Sequence, residues 1–358
     1  MCNTRYFQSS NSHTEEWSQG SLKSHRPGAT IILLIVSTDK TQLTIFGGKQ
    51  AYLVYMTIGN IPKEICQKLL HHAQMLIGYI PMTKLKGIKN KAAHHRTVTN
   101  LFHFCLQTLL APIALHGETG LPMMGGDGTW CQCHPILANF IGNYPKQILV
   151  TCTYYGECPK CKVPCDQLGS CDRFLSCDHQ EVRRTYTLAD GDVHTFHAAC
   201  RDNGIKPIFH PFWKCLPFVN IYISIMLDIL HQLLQGVIKH LIAWLSDPLI
   251  FRGESINAQC QLMPPNYQIV LFPKGISILS CVSGKEHKNI CQLLLGLVVD
   301  LQLRDRSSLP RLLWAMCGLL DFLYLAQLPS QTANTIARLE CSLLMFHKNK
   351  DIFVNLVL

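Results

Sequence analysis

The residues of this chain best suited to chemistry are three aspartates, Asp39, Asp127 and Asp228, and a cysteine- and histidine-rich run that opens with Cys158 and Cys161. A carboxylate at the mouth of a buried strand sits on a rigid support, where a hard divalent cation could use it. Asp39 has that placing, because it ends the run Ile31-Ile-Leu-Leu-Ile-Val36-Ser-Thr. Six apolar, largely β-branched residues read as a strand buried on both faces. The plain alternative for Asp39 is a turn residue, as it is for Asp127 between Gly126 and Gly128. Asp228 precedes an apolar helical run, so it is either an acidic ligand or a helix N-cap. Cys158 and Cys161 have the spacing at which two thiolates converge on one tetrahedral zinc. A redox pair is the other use of that spacing, but it calls for a thioredoxin-like context that is absent here. A second ligand pair is available among His194, His197, Cys200 and His210, of which Cys200 and His210 are taken as the working pair. Cys165, Cys171 and Cys177 look incidental.

The elements that must position these groups follow from pattern. Residues 1–29 lack periodicity and read as disordered. Strands are predicted over about 30–38, 52–58 (after a turn at Gly47-Gly48) and 73–80, then a long helix over 92–115. A fourth strand is predicted near 122–128, a short helix over 134–141 with Pro135 in its first turn, and a fifth strand over 147–152. This order, β-β-β-α-β-α-β, is that of a ribonuclease-H-like fold within an α+β chain. Its first and fourth strands lie side by side, so Asp39 and Asp127 are expected on one rim. The expected domains are the core at 30–153, a Cys/His knuckle insertion at 154–215 and an all-helical region at 216–358. In the last, helices are predicted near 229–245, 286–303, 309–327 and 331–347, with Ser308 as an N-cap and a loop at about 246–274.

Composition bounds the partners. The 358 residues carry a net charge of +9, and clusters such as Lys84–Arg96 suit a polyanion. The polar N-terminus does not read as a secretory signal, and no apolar stretch reads as a membrane span. Eighteen cysteines without such a signal argue for buried thiols and a metal site over a disulfide scaffold.

Several blocks occur in one order: Ser37-Thr-Asp39-Lys-Thr-Gln-Leu43, Tyr55-Met-Thr-Ile-Gly-Asn-Ile-Pro-Lys63, Gly126-Asp127-Gly128, Cys158-Pro-Lys-Cys161, His210-Pro-Phe-Trp213, Asp228-Ile-Leu-His-Gln232 and Gly236-Val-Ile-Lys-His240. Together, from about residue 30 to the end, they resemble the Plavaka transposases of basidiomycete fungi, relatives of the CACTA-type elements. The resemblance implies a nuclear DDE-type transposase whose carboxylates hold Mg²⁺ or Mn²⁺ for DNA strand cleavage and transfer. It favours the metal role for Asp39 and Asp127, with Asp228 as the candidate third acid. The chain also departs from the family. A block commonly Gly-Asp-Tyr-Pro-Glu-Gln reads Gly142-Asn143-Tyr-Pro-Lys146-Gln147, a basic stretch is replaced by Cys66-Gln-Lys-Leu-Leu-His-His72, and Met226-Leu227 stand for a usual Thr-Pro. The chain also looks short for the family. These departures imply a truncated or degenerate copy that binds DNA weakly, without sequence preference, and does not transpose. The alternative is a non-catalytic, zinc-stabilised relic that binds nucleic acid or protein.

Overall fold

The computed structural model describes residues 28–44, 50–66, 68–83, 85–170, 172–226, 229–247, 250–251, 255–267, 269–279, 282–303, 308–328 and 330–357. The expected N-terminal disorder up to residue 27 and the Gly47-Gly48 turn lie outside them. The chain divides into two compact units, Met1–Leu227 and Asp228–Leu358.

The first unit is built on a mixed sheet. Strands β1 (Thr30–Gln42), β2 (Gln50–Ile58) and β3 (Gln74–Pro81) form an antiparallel meander. Helix α1 (Lys91–Thr119) follows, its first turn capped by the Asn90 side chain accepting from the Ala93 N–H. Next comes a hairpin of β4 (Leu121–Met124) and β5 (Trp130–Ile141). Strand β5 lies parallel to β1, with Thr30 opposite Cys133 and Ser37 opposite Ile141. The sheet order is β3-β2-β1-β5-β4, and a two-residue strand β6 (Ile225–Met226) runs parallel beside the end of β5.

The apolar run that begins at Ile31 is a strand with both faces covered. Leu34 and Val36 enter one core cluster with α1 residues Phe102, Leu106 and Leu110; Ile31 and Leu33 pack with Ile136 and Ala138 in another. That alternation is the period of two expected of a strand.

Two neighbouring segments exchange their expected types. Residues 134–141 are strand, not helix, and 147–150 belong to helix α2 (Tyr144–Val150), not to a fifth strand. Both runs are short and apolar, and periodicity does not separate a doubly buried strand from a buried helical turn. Capping decides the second. The Asn143 side chain accepts from the Lys146 N–H, and Pro145 sits in the first turn, where its missing N–H costs nothing. Apart from the one-turn helix Lys63–Cys66 and the 3-10 turn Leu69–His71 between β2 and β3, the element order up to α2 is therefore β-β-β-α-β-β-α.

Residues 154–215 share this unit's main core. Helices α3 (His179–Thr187) and α4 (Val193–Asp202) pack there with Phe212 and Trp213, both fully buried. The Trp213 indole N–H donates to Val150 O at 2.7 Å, so this aromatic is core and not a stacking platform.

The second unit is helical. A π-helical segment, Ile229–Ile238, runs into helix Lys239–Leu245 and is followed by helices Ile256–Leu262, Gly284–Val298, Leu309–Ala326, Ala333–Asn349 and Asp351–Val357. The helix Ile256–Leu262 falls inside the expected loop. Ser308 holds the N-cap position without a side-chain cap bond. Helices Lys91–Thr119 and Leu309–Ala326 are long and apolar enough to cross a membrane by length and composition alone, contrary to the reading of the sequence. Each buries an apolar face in the core of its own unit.

Candidate functional site at the carboxyl end of the parallel strands

Parallel strands end together, and that shared end is a concave rim where side chains from different elements meet. Here β1 and β5 reach it at Ser37 and Ile141, and β6 joins at Met226. The buried Gln147 side chain ties the strand ends together: its amide donates to Gly142 O and to Met226 O, both at 2.9 Å.

Asp39 stands on this rim, two residues beyond Ser37, exposed and opposite Leu53 of β2. Its carboxylate accepts from the Lys40 N–H at 2.7 Å. The residue two positions beyond Ile141 on the partner strand is Asn143. Lys146 follows on α2, and its side chain turns back under the rim. Its Nζ lies 3.2 Å from the centre of the Tyr52 ring and 4.9 Å from that of Phe102. Gly142 makes room for it, since a Cβ there would meet Lys146 Cγ at 2.6 Å. The Lys146 side chain is buried, and among the described residues its amine has no hydrogen-bond partner. Burial pulls the ammonium down to about 7; the Asp39 carboxylate opposes that shift and Lys40 adds to it. The Tyr52 hydroxyl is raised, first by burial and then by Asp39.

The structure does not bring Asp127 to this rim. Asp127 lies in the β4–β5 turn, beyond the Met124–Trp130 pair. Its carboxylate accepts from the Thr129 N–H and hydroxyl, both at 3.0 Å, and those bonds hold it below the usual carboxylate range. Gly128, at φ +80°, supplies the left-handed residue of the turn. Asp127 and Asp39 thus sit at opposite ends of the β1–β5 pair. About eleven strand residues at ~3.3 Å each separate them by roughly 35 Å, against the roughly 3.5–4 Å between ions of a two-metal site. The shared-rim expectation is corrected: it rested on taking 122–128 as the strand beside β1, whereas 130–141 is that strand. Asp228 lies outside the described residues.

The cysteine region divides in the same way. Cys158 and Cys161 are brought together, sulfur to sulfur at 3.4 Å, and the Lys160 N–H points to Cys158 Sγ at 3.4 Å. Cys200 and His210 are not brought to them. Cys200 is fully buried among the apolar residues of the main core, and His210 faces Asp190 with Nε2 3.7 Å from Oδ1. The residue found alongside the pair is Cys177, through a bridge between Cys161 and Ser176 and a bond from the Cys177 N–H to Lys160 O at 3.0 Å. The Cys177 thiol is pushed up to about 11, chiefly by burial and then by Cys158 and Cys161. Among the described residues, no group of three or more His, Cys, Asp or Glu assembles that could hold a metal.

The family described as Plavaka transposase matches residues 2–245. The chain belongs to the Plavaka transposase family. Membership covers the whole described sheet, the rim and the cysteine region, and it implies interaction with DNA in general. No curated protein matches the chain. Within a Plavaka chain the departures at Asn143 and Lys146 carry a meaning that sequence reading missed. Both were visible as substitutions in a block, but the block was assigned to the approach of a strand. The parallel register ends at Ser37 and Ile141, just before that block, and the Asp39 carboxylate acts on the Lys146 ammonium.

Proposed function

We propose that this chain is a transposase-derived DNA-binding protein whose rim no longer supports metal-assisted strand cleavage. The single observation that carries this reading is the helix start beside Asp39: Lys146, whose ammonium feels the Asp39 carboxylate, and Asn143, which caps the same turn, at positions where the family commonly has Glu and Asp. A meander, a helix and a strand parallel to the first support a ribonuclease-H-like ancestry. In such a core the ends of β1 and β5 are the natural place for two carboxylates, and Asp127 has no part in it. Mg²⁺ and Mn²⁺ take hard oxygen ligands in demanding geometry. The described residues do not fit that need. Asn143 Oδ1 is engaged as the cap of α2, accepting from the Lys146 N–H at 3.2 Å, and Lys146 offers an amine where an oxygen is wanted. The reading puts its site of action in the nucleus, with DNA held weakly and without sequence preference.

The zinc reading stays as a proposal for Cys158 and Cys161 alone, since Cys200 and His210 are not brought to them. Two thiols side by side at this spacing support one half of a structural clip.

The test is a Mn²⁺ titration followed by calorimetry, comparing the wild type with N143D/K146E and with N143D/K146E/D39A. The wild type should show no saturable site that depends on Asp39. The double variant should gain one, and the triple variant should lose it. A wild-type site abolished by D39A would overturn the reading.

A further inference from the structure

The first turns of α1, the segment that follows α2 and the end of α4 wall a cleft of about 550 Å³. That volume lies within the roughly 300–1,000 Å³ of ligand-binding clefts. Its lining is one-sided in charge. Arg96 comes from α1, His197 and Arg201 from α4, and Lys206 from the loop beyond; no described lining residue is acidic. Among the described residues no ion pair engages Arg96, Arg201 or Lys206. Lys206 is partly buried, and burial lowers its amine below the usual lysine range. A second feature shares the same wall. Tyr154 and Tyr155 both open to solvent, and Tyr155 is 79% exposed. Tyr155 is held edge-on against Tyr144 with ring centres 6.0 Å apart. Tyr144 is itself fixed, accepting from the Gly156 N–H at 3.1 Å and donating to Glu157 O at 2.9 Å.

Uncompensated cations and supported, exposed aromatic rings in one cleft are the two parts of a single-strand binding site. The cations track phosphates, and the rings stack on bases that are free of a duplex. A cavity of this volume has no room for a double helix, whose bases would in any case present no open face. Helix α1 and the α2 segment run from the cleft to the surroundings of Lys146. His103, two turns along α1 from Arg96, holds Leu149 O at 3.0 Å, and its neighbour Phe102 flanks the Lys146 amine.

We propose that this cleft binds single-stranded DNA, with the phosphates on Arg96, Arg201 and Lys206 and a base stacked on Tyr155. The proposal rests on the reading that the chain engages DNA, and it names where. It is tested by fluorescence anisotropy of the full chain with labelled oligothymidylate, a duplex of equal length and oligouridylate, across a salt series. Oligothymidylate should bind more tightly than the duplex. Tyr155→Ala should weaken binding roughly 5- to 150-fold, the worth of one stacked base, and Tyr155→Phe should keep it within about twofold of wild type. R96A/R201A should lower the slope of log affinity against log salt by about 1.4, at about 0.7 per phosphate contact on a single strand. All these side chains are exposed, and unchanged circular dichroism would show the variants folded. Wild-type binding that none of the variants alters would overturn the cleft and leave the DNA reading standing. Tighter binding of duplex or of oligouridylate would overturn the assignment to single-stranded DNA. No binding of any oligonucleotide by the wild type at low salt would overturn both the cleft and the DNA reading.

Discussion

Replacing Lys146 by Met should stabilise the first unit, and should do so more at low pH than at high pH. The Lys146 amine drops from its ordinary 10.5 to about 7 because burial strips water from the ammonium. At about 1.4 kcal/mol per pH unit, that shift corresponds to about 5 kcal/mol against the charged form. Contact with the Tyr52 and Phe102 rings returns up to about 2 kcal/mol of it. The net cost of the buried cation is thus about 3–5 kcal/mol. The sign follows from linkage. Between pH 7 and 10.5 the unfolded chain binds the proton and the folded chain does not, so stability rises with pH in that window. Below pH 7 the full cost is present; above 10.5 it is gone. K146M, of similar length and without charge, should exceed the wild type by about 3 kcal/mol at pH 6, and the gap should close by more than half at pH 9. The assay is urea unfolding read by tryptophan emission in a W244F/W314F background, which removes the described tryptophans of the second unit. A gap that stays constant from pH 6 to pH 9 would refute the buried-cation argument.

Other outcomes follow from neighbouring geometry. His103 accepts from the Phe212 N–H at Nδ1, so its proton sits on Nε2, which donates to Leu149 O. Burial lowers its pKa to about 4, so stability should fall as the pH drops from 6.5 toward 4, by about 3 kcal/mol in all. H103L should flatten that acid limb in urea melts while costing about 1–3 kcal/mol at pH 7 for each orphaned backbone partner. Purified protein should carry zinc by atomic emission; C158S and C161S should each reduce it, and C200S and H210A should leave it unchanged. D127A should lower the melting temperature slightly by loosening the β4–β5 turn, with no effect on divalent-ion binding.

Much of the first unit was legible because its signals are strong locally. The doubly buried run of β1 and the long apolar period of α1 each exceed what a competing element could mimic. Asp39 was legible for the same reason: it terminates the run. The strand beside β1 was not legible. The residues His134-Pro-Ile-Leu-Ala-Asn-Phe-Ile141 carry a proline that suits a helix start, and their strand character comes only from partners on both sides, β1 and β6, far away in sequence. Misplacing that strand put Asp127 on one rim with Asp39, and it left Asn143 at the approach to a strand that is in fact a helix. The thiol pair was legible from spacing alone. Its neighbour Cys177 was not, because the ribbon that carries it past Lys160 is a contact closed over residues 162–175, with no period to announce it.

The most direct measurement is plasmid nicking. Full-length protein is incubated with supercoiled plasmid and Mg²⁺ or Mn²⁺, beside the Asp39→Ala variant, at a salt concentration where both bind DNA. Both proteins should give the same trace of open circle, since Asn143 and Lys146 leave Asp39 without a partner for a divalent ion. Metal-dependent nicking by the wild type that disappears in Asp39→Ala would contradict that reading of the rim.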